Sequence, residues 1–285
     1  MKSTFCAIAA IAGFLFANTL HAQDASDSSK TKKCHGHGNT LTISNDGLRI
    51  KHYDSSGKAN DSHEKEKQGR FYSNFAMVDL GINLIQDNTN YANPSVKAFL
   101  NVPANDQNKS LFDLRTSKSI NVNIYPWMIK YTALKTRGQR IYISSGIGLQ
   151  LYNFRYESPL TYTRNPSSII IDTISFKKDK LALDYLNVPL MFTFKTKLSK
   201  DNWLVYGAGL TEGYLIDSWT KQESSERGKV KVHDAFGLAD FNTCLSAEIG
   251  LEGVFRLFAT YQLTDLYANG MNQHPVSIGL RFSGI

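Results

Sequence analysis

The stretch Ile141-Tyr-Ile-Ser-Ser-Gly-Ile-Gly-Leu-Gln-Leu151 decides the fold, because apolar and polar residues alternate along it. A period of two is typical of a β-strand with one face toward an apolar medium and the other toward a polar one. Val78–Leu84 shows the same alternation. In a soluble sandwich the polar face meets water outside, whereas in a membrane barrel it lines the interior and the apolar face meets lipid.

This alternation recurs in eight segments that are long enough, at about ten residues, to cross a bilayer as tilted strands. The connections after the first, third, fifth and seventh segments are longer than those after the second, fourth and sixth. A soluble lipocalin-type barrel has no reason to place its long loops alternately. The sequence therefore predicts an all-β fold, an eight-stranded antiparallel transmembrane β-barrel with long extracellular loops and short periplasmic turns. The predicted strands are roughly 74–85, 117–130, 140–156, 182–195, 203–216, 239–250, 254–263 and 275–283.

The two faces of these strands predict what the barrel encloses. Apolar residues such as Leu80 are placed outward, and aromatic residues near strand ends, such as Tyr152 and Phe154, are placed in an interfacial belt. Four charged residues fall on the inner faces of strands that become neighbours when the barrel closes, and they predict a polar network in the lumen: Asp79, Glu248, Arg256 and Arg281. A structural ion-pair network is the favoured interpretation, with a polar conduit as the functional alternative. Eight strands leave room for packed side chains rather than an open channel, so no transport pore is predicted.

The N-terminus has the pattern of a secretory signal peptide. Lys2 precedes the apolar run Phe5–Ala17, and a cleavage region follows with Leu20 and Ala22 at positions −3 and −1, so residues 1–22 are predicted to be removed. Residues 23–70 are polar and predict a mostly flexible periplasmic segment, with a possible short hairpin at 40–51 around Asn45-Asp-Gly47. Residues 71–285 form the predicted barrel, and the predicted location is the outer membrane.

Composition excludes several classes of function. The 285 residues include 32 Lys and Arg against 25 Asp and Glu, a formal net charge of +7. These charges are scattered over presumed loops such as Lys177-Lys178-Asp179-Lys180, where solvation by water is the favoured interpretation and contact with anionic headgroups is the functional one. No basic surface interleaved with aromatic residues indicates nucleic acid. Gly207-Ala-Gly209 lies within a strand and is no phosphate loop, so no cofactor is predicted.

The candidate reactive residues are few. Cys34-His-Gly-His37 offers three ligands where closed zinc sites use four, so no metal site is predicted. Cys34 and Cys244 remain after signal cleavage, and whether they pair is left open. His233 and His274 are the histidines of a possible hydrolase triad, but no spacing identifies a nucleophile. The chain is therefore predicted not to be an enzyme, with an outer-membrane lipid hydrolase kept as an alternative.

Several segments also resemble a known family. Leu183-Asp-Tyr-Leu-Asn-Val-Pro-Leu-Met-Phe192 resembles the "YL-x-(I/V)-P-L" strand of the PorT-like outer-membrane β-barrel proteins of Bacteroidota, and Phe75–Asn83 and Gly279–Phe282 are similar to that family's opening and closing strands. The resemblance covers about residues 40–285 and implies the same barrel fold, together with a role in supporting secretion or envelope assembly. The chain departs from many outer-membrane barrels in ending on Ser283-Gly-Ile285 after Phe282.

The expected function is a structural or binding role in the cell envelope. The long loops 86–116, 157–181 and 217–238 are expected to meet external partners. The expected partners are outer-membrane lipid, the barrel assembly machinery during biogenesis, and envelope or secretion proteins. The alternatives are an accessory component of a secretion or envelope-assembly machine, acting through the periplasmic segment, and the lipid hydrolase named above.

Overall fold

A computed structural model describes residues 34–36, 39–44, 47–52, 70–200, 202–253 and 255–283. The predicted signal peptide at residues 1–22 lies outside these ranges. The chain divides into two compact units, Met1–Lys67 and Gln68–Ile285. Among the described residues, no helix has both the length and the apolar character needed to cross a membrane.

The first unit contains a three-stranded antiparallel sheet of β1 (Cys34–Gly36), β2 (Asn39–Ser44) and β3 (Gly47–His52). β2 and β3 form a hairpin whose pairing begins at Ser44 and Gly47, on either side of the turn that the sequence suggests. β1 differs from expectation, because the sequence places Cys34–Gly36 in the flexible segment. A three-residue strand is too short to show a period of two, and here its edge pairing with β2 defines it.

The second unit is a closed ring of eight antiparallel strands, with each strand paired to its neighbours in the ring and the last strand paired to the first. The eight-stranded antiparallel barrel predicted from the sequence is therefore confirmed. The ring strands are β4 (Phe71–Asp87), β5 (Ile120–Lys135), β6 (Gln139–Arg155), β9 (Lys178–Lys197), β10 (Trp203–Ser224), β12 (Phe241–Leu251), β13 (Arg256–Gln262) and β14 (Gln273–Ser283). Three further strands lie in the connections: β7 (Leu160–Thr163), β8 (Ser168–Ile171) and β11 (Gly228–His233).

The barrel has its polar side chains inside and its apolar side chains outside. On β4, Asp79 is fully buried while the adjacent Leu80 is 48% exposed, and a soluble core would reverse that order. The same contrast continues around the ring, with an exposed apolar belt that includes Ile120, Ile147, Leu186, Val188, Leu190, Phe192, Leu210, Leu245, Ile249, Leu257 and Ile278. This polarity is that of a transmembrane β-barrel, because only lipid makes such a belt favourable.

Glycine permits close strand approach where the ring closes. Gly81 of β4 and Gly279 of β14 are directly paired. A Cβ atom at Gly81 would lie 2.7 Å from the carbonyl oxygen of Ile278 and 2.9 Å from the ring of Phe258. A larger residue there would force the backbone apart, so these inward positions favour glycine in a barrel of this width.

The connections at one end of the barrel are long and structured, and those at the other end are short. We call these the long-loop end and the short-turn end. The first long connection holds α1 (Pro94–Phe99) and three 3₁₀ turns at Ala104–Asp106, Lys109–Phe112 and Thr116–Lys118. The second holds the β7–β8 hairpin, and in the third β10 runs on to Ser224 and pairs with β11.

The prediction that 86–116, 157–181 and 217–238 are plain loops is therefore wrong in part. Residues 178–181 belong to β9, and residues 217–224 and 228–233 belong to the β10–β11 ribbon. Charged residues along this ribbon suggest a loop. Outside the lipid, however, an antiparallel ribbon can expose charged side chains to water on one face while its other face is buried.

Candidate functional site

The inner face of the barrel carries a buried ion pair between the first and last strands of the ring. Arg281 of β14 is paired in register with Asp79 of β4. Its Nε and Nη2 atoms donate to Oδ1 and Oδ2 of Asp79 at 2.7 and 2.8 Å, which is a two-pronged contact. Asn123 of β5 adds a donor to Oδ2 of Asp79 at 3.2 Å. Asp79 thus accepts three hydrogen bonds while fully buried.

Glu248 of β12 extends the ion pair across the lumen. Its Oε2 atom accepts from Nη1 of Arg281 at 3.0 Å and from Nη1 of Arg256 at 2.9 Å. Its Oε1 atom accepts from the hydroxyl of Thr193 on β9 at 3.1 Å. Two carboxylates and two guanidinium groups therefore share one network, which balances charge inside the barrel.

The structure brings together all four residues that the sequence places in the lumen, Asp79, Glu248, Arg256 and Arg281. Sequence analysis missed Asn123 and Thr193, although both lie on inward-facing positions. Alternation indicates which side of a strand a residue occupies, but the choice of partner depends on the register between strands, which places Asn123 directly beside Asp79.

Toward the long-loop end, the lumen is filled by apolar and aromatic side chains that we call the cap core. All four long connections contribute to this cluster, the fourth being residues 263–272 between β13 and β14, and β6 and β9 contribute their inward-facing residues. The cap core consists of Val96, Phe99, Leu100, Val102, Leu111, Phe112, Tyr152, Phe154, Tyr156, Leu160, Tyr162, Ile169, Leu181, Leu183, Tyr185, Phe236, Leu238, Leu266, Tyr267 and Met271.

Three tyrosine hydroxyls meet inside the cap core. The Tyr162 hydroxyl donates to Tyr156 at 3.0 Å and lies 2.7 Å from the hydroxyl of Tyr267. Burial raises the pKa of Tyr267 to about 12, so its hydroxyl stays protonated and available for hydrogen bonding at physiological pH. These contacts join the second long connection to the fourth, which makes the cap one packed structure.

The expectation of an interfacial aromatic belt is wrong for Tyr152 and Phe154. Both side chains are buried, stacked on each other with ring centroids 5.5 Å apart, and part of the cap core. Trp127, by contrast, is exposed on the outer face, where its indole N–H donates to Ser73. Aromatic residues near strand ends suit both environments, and the direction of each side chain decides between them.

An ion pair fastens the β7–β8 hairpin to the β10–β11 ribbon. Arg227 donates to both carboxylate oxygens of Asp172 at 2.6 and 3.2 Å, and the Thr161 hydroxyl donates to the same carboxylate at 3.2 Å. Burial by itself would raise the pKa of Asp172, but the hydrogen bonds from Arg227, from the backbone of Ile174 and from Thr161 lower it below its ordinary value.

This lowered pKa predicts acid-induced loosening of the hairpin. A carboxylate with a depressed folded-state pKa stabilises the fold above its unfolded pKa, and the contribution is lost as pH falls through the folded value. The protection factors of the amide hydrogens of residues 160–171, which correct for the intrinsic pH dependence of exchange, are expected to fall below about pH 4. Asp172→Asn should exchange faster already at pH 7 and lose this pH dependence. An unchanged profile in that variant would refute the role of the ion pair.

Each histidine of the hydrolase alternative has an acidic neighbour, which for His274 is Asp265 with Nε2 and Oδ1 3.6 Å apart. His233 Nδ1 lies 3.0 Å from Asp217 Oδ1, whereas His274 contacts the Gln262 carbonyl and the Asn272 side chain at 3.0 and 2.8 Å. The hydrolase alternative therefore stays a prediction, to be tested by the lipid profile of His233→Ala and His274→Ala cells.

Cys244 is a buried free thiol, 3.8 Å from the hydroxyl of Tyr152. Of Cys34-His-Gly-His37 the structure gives only the backbone of the first three residues, and His37 lies outside the described ranges. Within the described ranges, no group of three or more His, Cys, Asp or Glu residues could hold a metal ion.

The arrangement defines a class of protein, a transmembrane β-barrel whose lumen is filled by an ion-pair network and a cap core. No protein-family model matches the sequence, and the search of curated proteins gives no match. Among solved structures, the chain is similar to Ail, the attachment invasion locus protein of Yersinia pestis, at 8% identity and a TM-score of 0.26, over 74% of this chain and 98% of that one. A structure of Ail with the heparin analogue sucrose octasulfate gives 9% identity and a TM-score of 0.27 over the same shares. The β-barrel fold is assigned from the strand pairing of this chain.

Proposed function

We propose that this protein is a non-enzymatic, non-conducting β-barrel of the outer membrane with a structural or binding role. The observation that carries the proposal is the filled lumen. Arg281, Asp79 and Glu248 are buried in one network within the barrel, and the cap core packs across the long-loop end. The barrel therefore anchors a folded cap rather than transporting a solute.

Three features support an outer-membrane location. The exposed apolar belt needs lipid, the strands are long enough to cross a bilayer, and the N-terminus has the pattern of an export signal. The first ring strand begins and the last ring strand ends at the short-turn end. In an outer-membrane barrel that end faces the periplasm, so the cap would face the exterior. The lipid bilayer and the barrel assembly machinery are then partners during biogenesis, and the resemblance to the PorT-like family of Bacteroidota agrees with this setting.

The binding role is assigned to the surface of the cap. Its connections are held by hydrogen bonds, ion pairs and a shared core, so they present fixed surfaces rather than mobile loops. Binding through ordered segments avoids most of the entropy cost of ordering a loop. Envelope or secretion proteins are the proposed partners.

The accessory role in a secretion or assembly machine is a second candidate, favoured by the ordered three-stranded sheet of β1–β3 in the segment before the barrel. Deleting residues 23–70 tests it. Loss of a partner in co-purification, with the barrel still folded in the outer membrane, supports this role, and unchanged partners contradict it.

The main proposal predicts a folded barrel without conductance. The mature chain should fractionate with the outer membrane, migrate differently on gels before and after boiling, and give no steady current in planar lipid bilayers. A deletion of cap residues 157–177 provides the comparison for the bilayer measurement, because it removes the β7–β8 hairpin from the cap core. Stable single-channel currents from the intact chain would overturn the proposal.

A further inference from the structure

Four cationic residues form a row across four adjacent strands at the long-loop end. Arg155 of β6 is paired with Lys180 of β9, Lys180 with Lys221 of β10, and Lys221 with Lys231 of β11. We call this row the basic ladder. Its residues lie on the face opposite the cap core, because the alternating neighbours Phe154 and Leu181 are buried within that core.

A tryptophan supports the ladder from the next row of residues. Trp219 is paired with Ala182 and His233. The ammonium groups of Lys180 and Lys231 each lie 4.0 Å from the centroid of its ring. Cation–π contacts of this kind hold lysine side chains in place. Lys180 and Lys231 are therefore held against one indole ring, beside the rest of the ladder.

Such a row is unfavourable in a sheet by itself. Like charges directly opposite one another on neighbouring strands are destabilising, and here three successive pairs are alike. The acidic residues on this face lie in the neighbouring rows. Glu223 lies 3.9 Å from Lys229 as an ion pair, Asp217 contacts His233, and Asp184 is paired in register with Asp217. An external anion would offset the repulsion within the row.

The ladder lies beyond the apolar belt, toward the long-loop end. Ile216 on β10 is an exposed residue at the upper part of the apolar belt, and Lys221 lies farther along the same strand. At about 3.3 Å per residue and a tilt of about 40°, Lys221 stands roughly 12 Å above Ile216. A lysine side chain can bend toward the interface from there, which brings its charge to the headgroup layer.

We infer that the basic ladder, with Trp219 beside it, binds the phosphate groups of anionic glycolipid headgroups in the outer leaflet. This inference rests on the proposed outer-membrane location. Lysine binds phosphate as a point charge, and Arg155 adds a planar donor that can contact two phosphate oxygens. The ladder lies along one side of the barrel, so one or a few lipid molecules would be held there.

Lipid titration of the intact mature chain tests the inference. The triple variant Arg155→Gln, Lys180→Gln, Lys221→Gln is compared with a matched control, Lys97→Gln, Lys109→Gln, Lys118→Gln, which removes three exposed cations from the first long connection. All proteins are folded in phosphocholine micelles and checked for heat-dependent gel migration. The probes are bisphosphorylated lipid A, dephosphorylated lipid A, inorganic phosphate and heparin.

Each cation near an anionic surface contributes about fivefold to affinity, so the triple variant should bind bisphosphorylated lipid A on the order of 100-fold more weakly than the native chain. The control should stay near the native value, and dephosphorylated lipid A should bind weakly to all three proteins. Equal binding by the triple variant, or equal binding of dephosphorylated lipid A, would overturn the inference.

The remaining probes separate the sources of the anion. Displacement of lipid A by inorganic phosphate at equal phosphate concentration would assign the ladder to free phosphate, and tighter binding of heparin would assign it to a sulfated polysaccharide. Either result overturns the lipid assignment. Because the titration is done in micelles, it is independent of conductance and cell fractionation, which test the proposed function separately.

Discussion

Arg281→Met is expected to lower the free energy of unfolding by about 3–5 kcal/mol, because it leaves the carboxylate of Asp79 buried without its cation. Arg281 donates two hydrogen bonds to Asp79 and one to Glu248. After the substitution Glu248 keeps Arg256, but of the three hydrogen bonds that Asp79 accepts only the one from the amide of Asn123 remains. Removing one partner of a buried pair costs more than the intact pair contributes.

The measurement is equilibrium unfolding in urea, followed by the change in gel migration. Arg164→Met is the matched control, since Arg164 is half exposed in the cap and lies 3.6 Å from Asp234, and its loss should cost less than about 1 kcal/mol. Asp79→Asn combined with Arg281→Met should be less destabilising than Arg281→Met alone, because no unpaired carboxylate remains at position 79. A single variant as stable as the control would show that the network does not support the barrel.

The barrel could be predicted from the sequence because its signals are local. A period of two assigns Asp79 and Leu80 to opposite faces, and the alternation of long and short connections sets the topology. The inner face of each strand follows directly, which is why the four charged residues could be named in advance. Their partners Asn123 and Thr193 could not. The contact of Asn123 with Asp79 depends on the register between the adjacent strands β4 and β5, and the contact of Thr193 with Glu248 depends on the stagger of the closed ring.

The cap could not be predicted, because its order comes from contacts between segments distant in sequence. The register of β10 against β9 shifts between Leu215 and Asp217, so the outward positions change from even to odd numbers there. The shift places Trp219 and Lys221 on the face opposite the cap core, where Trp219 is buried beside its lysine neighbours, and places Thr220 on the other, buried face. A β-bulge adds one residue to a strand without a distinctive sequence signal. Because of this bulge, Lys221 lies on the face opposite to the one that simple alternation along β10 predicts.

Tyr267→Ala is expected to destabilise the cap by about 3–5 kcal/mol, the usual cost of deleting a buried aromatic side chain. Tyr267 is 1% exposed, its ring centroid lies 5.6 Å from that of Phe99, and its hydroxyl contacts Tyr162. The backbone at Tyr267 also forms a bridge with Leu238. One side chain thus connects the fourth long connection to the first and the second, so its removal should loosen them together.

Limited proteolysis distinguishes the cap from the ring. Tyr267→Ala should be cleaved in the long connections at low protease concentration, while the β-barrel keeps its heat-dependent gel migration, because the strand pairing of the ring does not involve Tyr267. Tyr267→Phe keeps the ring contacts and loses one hydrogen bond, so it should cost only about 1 kcal/mol. The control Tyr214→Ala alters an exposed side chain on the outer face of β10 and should leave cleavage unchanged. If Tyr267→Ala also unfolds the ring, cap and barrel form one cooperative unit; if only the cap is cleaved, the cap is a less stable unit supported by the barrel.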